Sequence, residues 1–257
     1  MSVKIVYNKQ FEAKYPTNPV ENPDRVRLPS HLLREAGYEF VEPSMASLED
    51  IQRVHGLQHV KIVQARNIYD AAALASGGAI IATELAMRGD PTFALIRPPG
   101  HHASANRAWG LCFFNNIAIA VQKIRPKAKR VLIIDTDLHF GDGTVSIFRG
   151  DKDVKIVNPG AIDPEFSYLQ LDSKGYMRQV EEAFDGLDYD IVGVSAGFDT
   201  YVEDWGGLLT NDDFFNIGRI IKELSEQHCS GKRFAILEGG YHSNLKYNVK
   251  NFIEGFA

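Results

Sequence analysis

Asp137 and His139 stand two residues apart in DTDLH (135–139), and Asp199 closes SAGFD (195–199). In an extended segment, side chains two apart point to the same side. Asp137 and His139 therefore offer two donors together, and Asp199 brings a third oxygen from another segment. Two carboxylates and one imidazole leave a coordination position open for water or substrate, as in catalytic rather than structural zinc sites. Oxygen and nitrogen donors also accept iron(II) or cobalt(II), because they select weakly among these ions. Alone, such an Asp-x-His pair is more often an ion pair at a strand end. Its neighbours in the sequence shift the balance.

His101 and His102 follow Pro98-Pro99-Gly100 in RPPGHH (97–102). Hydrolysis by an activated water needs a base, and a departing amine needs an acid. Adjacent histidines in a stiff turn can supply both if a carboxylate fixes the far nitrogen of each ring. Asp135 and Asp142 flank the metal-ligand candidates and are the natural partners. Tyr241, after Gly239-Gly240 in EGGY (238–241), carries a phenol able to donate to a developing oxyanion. Each motif has a bland reading, as surface histidines in a proline turn or a packed tyrosine at a glycine turn. Asp163, Glu165 and Asp172 belong to no motif and read as solvated.

The elements that must position these groups are legible as apolar runs. Val3–Tyr7, Phe93–Ile96, Val131–Ile134, Val154–Val157, Ile191–Val194 and Phe234–Leu237 are continuous rather than alternating, as in strands covered on both faces. Helical patterns lie between them at Arg25–Glu35, Ser47–His55, Ala71–Met87, Asn115–Ile124, Tyr176–Phe184 and Asp212–Gln227. Gly37 is placed to stop the first, and Ser47 with Asp50 to cap the second. Gly77-Gly78 inside the third implies a close neighbour. The alternation predicts one α/β domain over residues 1–257, with a central, mostly parallel sheet flanked by helices. Four strands run straight into the polar clusters. In open α/β sheets the carboxyl ends of the strands form the ligand crevice, so the four clusters are expected to meet at one site.

The 257 residues are 44% hydrophobic and 24% charged, an ordinary globular balance. Two cysteines argue against a disulfide framework and fit a reducing compartment. The net charge of -5 gives no reason to expect nucleic acid. No signal-like N-terminus or stretch of about 20 apolar residues stands out, so no membrane partner and a cytoplasmic location are expected. The oligomeric state is left open.

The ordered motifs ENPDRVR (21–27), RPPGHHA, CFFNN (112–116), DTDLHFGDGT, SAGFD and EGGY resemble the zinc-dependent histone deacetylase superfamily, which includes acetylpolyamine amidohydrolases and acetoin-utilisation proteins. The resemblance runs from the N-terminal strand to Tyr241 and implies the arginase-like α/β architecture. It implies zinc on Asp137, His139 and Asp199, catalytic His101 and His102 with His102 the general base, Asp135 and Asp142 as their carboxylates, and Tyr241 polarising the acyl carbonyl. Gly110 falls at the substrate-tunnel glycine, and a potassium ion beside Asp135–His139 is a further family property.

The chain departs from the pattern in three places. Leu111 stands where the family usually has a tunnel aromatic. NPGAIDPEFSYLQLD (158–172) lacks the Pro-Gly-Thr-Gly segment, leaving Phe166 and Tyr168 as candidates for the second tunnel aromatic. The chain is shorter than typical members, which implies trimmed loops and a shallow pocket with Trp205 at its rim. Glu203 and Asp204 lie near the position where polyamine deacetylases carry a gatekeeper glutamate.

The resulting expectation is a metal-dependent amidohydrolase acting on linear amides, with an acyl-lysine or a small N-acyl amine as substrate. The alternatives are an acetylpolyamine-specific enzyme, an arginase-like binuclear hydrolase and a non-catalytic acyl-lysine binder.

Overall fold

The computed structural model describes residues 3–161, 171–186 and 188–257. Asp163, Glu165, Phe166 and Tyr168 lie outside them. Seven strands form one sheet: β1 (Lys4–Val6), β2 (Phe40–Val41), β3 (Thr92–Ala94), β4 (Val131–Asp135), β5 (Val154–Val157), β6 (Ile191–Ala196) and β7 (Arg233–Leu237). Their order is β2-β1-β3-β7-β6-β4-β5, and every pairing is parallel. The sheet is thus wholly parallel, where the sequence predicted mostly parallel.

Continuous apolar runs suit this environment. Every residue of β3, β4, β6 and β7 is buried, and a fully buried Val, Leu, Ile or Phe contributes about 1.5–3 kcal/mol. These four strands are neighbours at the middle of the sheet, and they are the four that run into the polar clusters. Neighbouring strands lie about 4.8 Å apart, so side chains from positions 101 to 241 are brought within reach of one another.

The described helices are α1 (Asp24–Glu35), α2 (Leu48–Gln52), α3 (Leu57–Ala65), α4 (Tyr69–Met87), α5 (Asn116–Ile124), α6 (Asp142–Ile147), α7 (Ser173–Glu182), α8 (Asn211–Cys229) and α9 (Leu245–Phe256). Ser47 caps α2 by accepting the Asp50 N–H, as expected. The α2 helix is bounded at Gln52 rather than His55, although the His55 N–H still bonds the Ile51 carbonyl at 3.0 Å, and the His55 ring accepts the Asn115 N–H. Asp172 is exposed, consistent with its reading as solvated, and it also caps α7 by accepting the Gly175 N–H at 2.8 Å.

The glycines inside α4 have the close neighbour the sequence required. A Cβ on Gly77 would sit 1.9 Å from the Ser44 carbonyl oxygen, and one on Gly78 would sit 2.6 Å from Ile96. By length and composition α4 could cross a membrane, so it is longer and more apolar than the sequence reading allowed. Its most apolar stretch is 67% buried against the protein, as in a core helix.

Candidate active site

At the end of β4 the chain does not continue extended, as the Asp137/His139 spacing argument assumed. It bends through two successive turns in which an aspartate accepts the N–H two residues on. Asp135 Oδ1 takes the Asp137 N–H at 3.2 Å, and Asp137 Oδ1 takes the His139 N–H at 2.9 Å. The bend still leaves Asp137 and His139 on one side. From the end of β6, Asp199 accepts the Leu138 N–H at 2.9 Å. From the turn after β7, the Gly239 N–H donates to Asp137 Oδ2 at 2.8 Å. A Cβ on Gly239 would stand 2.4 Å from Asp137 Oδ2 and 2.8 Å from Asp199 Oδ2, so only glycine lets this turn pass the carboxylates.

The side chains of Asp137, His139 and Asp199 place one ligand atom each within 4.8 Å of one another. His139 Nδ1 is 3.1 Å from both Asp137 Oδ1 and Asp199 Oδ2. Asp199 Oδ2 is buried and has no partner of hydrogen-bonding geometry among the described residues. Against its burial, Asp137 and Asp199 push the His139 imidazole up to about 10. Burial and the charge of Asp137 push the Asp199 carboxyl up to about 6. The trio therefore holds more negative charge than its burial tolerates and suits a cation. Zinc, with bonds of about 2.0–2.2 Å to nitrogen and carboxylate oxygen, fits these donors once His139 gives up its proton.

The tandem histidines face this group from the turn after β3. His101 Nδ1 hydrogen-bonds Asp135 Oδ2 at 3.0 Å, and its Nε2 is 3.7 Å from Asp137 Oδ1. Burial opposes a charge on His101, but Asp137 and Asp135 overcome it and hold the ring protonated. His102 Nδ1 hydrogen-bonds Asp142 Oδ1 at 2.7 Å. Burial and the charge on neighbouring His101 push His102 down to about 4. The two adjacent imidazoles are thus pushed in opposite directions, His102 toward the neutral ring and His101 toward the cation.

Tyr241 lines the same cavity, of about 640 Å³, as His101, His102, Asp137, His139, Gly110, Leu111 and Trp205. Burial holds its phenol well above the ordinary range, with the Asp137 and Asp199 charges adding to it against the opposing pull of Arg25, so the hydroxyl stays a donor. Trp205 is 56% exposed, lines the cavity, stacks on Tyr241 at 4.4 Å and meets the His139 ring edge-on at 5.8 Å.

Neither Glu203 nor Asp204 is among the residues that line the cavity. Glu203 hydrogen-bonds Tyr201 and Asn244. Asp204 Oδ2 accepts the N–H groups of Tyr241 and His242 at 2.6 and 3.0 Å. It therefore aims the tyrosine turn rather than a substrate amine. Asp204→Ala should lower kcat about tenfold, the scale of losing a supporting hydrogen bond at a catalytic group, with bound metal unchanged in elemental analysis.

Arg25 was quoted within ENPDRVR without a role. Buried, it donates Nε–H to the Gly240 carbonyl at 2.8 Å, donates to the Glu238 carbonyl, pairs with Glu21, and lies 4.7 Å over the Tyr241 ring. Glu238 was also passed over. Its Oε2 accepts the N–H groups of Gly100 and His101 at 2.7 and 3.2 Å, tying the β7 and β3 turns together. Burial pushes Glu238 up to about 7. His101, Cys112 and Glu238 make a second trio of donor atoms within 4.8 Å of one another. This qualifies the sequence argument against a binuclear site, which counted only three clean donors. Within it His101 Nδ1 is engaged by Asp135 and Glu238 Oε2 by the turn, while Glu238 Oε1 is buried with no hydrogen-bond partner among the described residues.

A wholly parallel sheet with a candidate metal-binding trio and paired histidines at its strand ends defines the class as an α/β protein with a polar site at one edge of its sheet. The chain belongs to the histone deacetylase family. The family's domain model, "Histone deacetylase domain", matches residues 61–159. A "Probable deacetylase" of Archaeoglobus fulgidus is 30% identical over 94% of this chain and 82% of its own length. A "Probable deacetylase" of Methanothermobacter thermautotrophicus is 29% identical over 92% of this chain and 85% of its own. The crystal structure of the HDA15 HD domain superposes with a TM-score of 0.84 at 25% identity, covering 98% of this chain and 88% of that one.

Proposed function

We propose that this chain is a zinc-dependent hydrolase that removes an acetyl or other acyl group from an amine, with an acyl-lysine side chain or a small N-acyl amine as substrate. One observation carries the reading: Asp137 and His139, grouped with the buried Asp199, line a single cavity with His101, His102 and the Tyr241 phenol.

In this reading Asp137, His139 and Asp199 hold the metal, which when bound supplies Lewis acidity and lowers the pKa of a coordinated water toward neutrality. His102, neutral and held through Nδ1 by Asp142, takes a proton at Nε2 as water attacks the acyl carbon. Tyr241 donates its phenolic hydrogen to the carbonyl oxygen as negative charge develops there. His101, cationic between Asp135 and Asp137, balances the charge and gives a proton to the leaving amine. Gly110, Leu111 and Trp205 form the walls against which the acyl-amine chain lies.

The family's potassium ion belongs to the same reading. Ser195 Oγ, buried and without a hydrogen-bond partner among the described residues, lies on β6 directly opposite Asp135. That leaves a spare oxygen for a monovalent cation beside the Asp135–His139 bend.

The test is turnover of acetyl- and trifluoroacetyl-lysine fluorogenic substrates and of acetylated polyamines by zinc-loaded protein, with and without a hydroxamate. Hydroxamate-sensitive release of the free amine is the expected result. Binding of acyl-lysine with no release from any substrate would show a non-catalytic binder instead.

A further inference from the structure

Beside the tandem histidines stands Trp109, to which the sequence motifs assign nothing. Its indole Nε1–H donates to Asp142 Oδ2 at 2.9 Å. Its ring lies on the His102 ring, with centroids 3.9 Å apart and planes tilted by 32°. Asp142 thus has each oxygen engaged by a different ring: Oδ1 by His102 Nδ1 at 2.7 Å, Oδ2 by Trp109. Trp109, His102 and Gly110 line the same cavity.

We propose that Trp109 is a positioning residue for His102, fixing both its plane and its tautomer through Asp142. The proposal rests on His102 being the base of the reaction above. The physical argument has two parts. Asp142 is half-buried at the start of the short helix α6, and its carboxylate could rotate about its terminal bond if only one oxygen were held. An indole N–H is a donor only, so its bond to Oδ2 fixes the carboxylate plane with Oδ1 aimed at His102. A carboxylate accepts, so His102 must then carry its proton on Nδ1, which leaves the lone pair on Nε2 for the reaction. The stacked indole also removes one face of the imidazole from water and blocks rotation of the ring in that direction.

Trp109→Phe keeps a stacking ring and deletes the N–H. Two readouts test it. The first needs no turnover: long-range 1H–15N spectra of the zinc-loaded protein, with the His102 signal assigned by its absence in His102→Ala. Wild type should show the Nδ1–H tautomer alone, and Trp109→Phe should show a mixture. The second is kinetic. Trp109→Phe should lower kcat about tenfold, the scale of losing a supporting hydrogen bond, with KM changed less than about twofold. In an Asp142→Asn background the same substitution should change kcat less than about twofold, since the carboxylate it steadies is gone.

An unchanged His102 tautomer in Trp109→Phe would overturn the proposal, as would wild-type kcat or an equal loss in both backgrounds. If wild type hydrolyses none of the acylated amines, the proposed function fails while the tautomer result still decides the role of Trp109.

Discussion

His102→Ala is expected to lower kcat for acyl-amine hydrolysis by roughly a hundred- to ten-thousand-fold, the range for loss of a general base. The loss should fall on kcat with the metal still in place, because His102 is not among the three grouped donors Asp137, His139 and Asp199. The proposed mechanism takes His102 rather than His101 as the base for an electrostatic reason. His101 sits between Asp135 and Asp137, which hold it protonated, and a protonated ring cannot accept. His102 has one carboxylate and a cationic neighbour, so its Nε2 is free at neutral pH. Purified variants assayed beside elemental analysis separate the two effects. A metal-loaded His102→Ala protein with turnover close to wild type would remove His102 from the role.

The second large effect concerns Asp199. Asp199→Asn keeps an Oδ1 acceptor for the Leu138 N–H and deletes the charge. Loss of a supporting group outside the donor set typically costs 10–100-fold in metal affinity, and loss of a donor should exceed about a hundredfold.

The variant should also reveal why the carboxylate is there. In metal-free protein the folded-state pKa of Asp199 is raised, to about 6, above the roughly 3.9 of an unfolded chain. The folded state then binds more protons than the unfolded one in that window. By linkage, stability falls as pH rises from about 4 through 6 and stays lower above it. Chelated Asp199→Asn should therefore melt higher than chelated wild type at pH 7.5, while zinc should raise the melting temperature of wild type far more than that of the variant. A variant that binds zinc with wild-type affinity would show that Asp199 is no ligand.

Much of this was readable from residue order alone, for a physical reason. Strands buried on both faces announce themselves as unbroken runs such as VLII (131–134), and polar clusters straight after such runs mark strand ends. The structure adds that the four strands concerned are consecutive in space, β3-β7-β6-β4, which no local pattern encodes. β2 escaped because two residues, Phe40 and Val41, carry no periodicity and are strand only through pairing with β1. α9 escaped because the motif reading ended at Tyr241; its buried face packs on α8.

The positioning residues were hidden for another reason: their partners are far away in the chain. Arg25 reaches Gly240 across 215 positions, and Asp204 reaches the Tyr241 N–H across 37. Glu238 ties the histidine turn to β7 across 138. One available signal was composition. An arginine on the side of α1 shared with Val26 and Leu33, which are both buried, needs a partner. Asp204 was noted only for lying near the gatekeeper position, and its carboxylate is spent on backbone N–H groups. The Asp137/His139 argument reached the right pairing through the wrong backbone, since aspartate turns rather than an extended strand put the two side chains together.

The most direct test strips the protein with a chelator and titrates zinc back while following release of amine from an acylated amine. One cation shared by Asp137, His139 and Asp199 predicts no turnover at the start, a linear rise, and a sharp break at one equivalent per chain. Full activity in the stripped protein, or a break only at two equivalents with the second ion lost in Cys112→Ser, would contradict it.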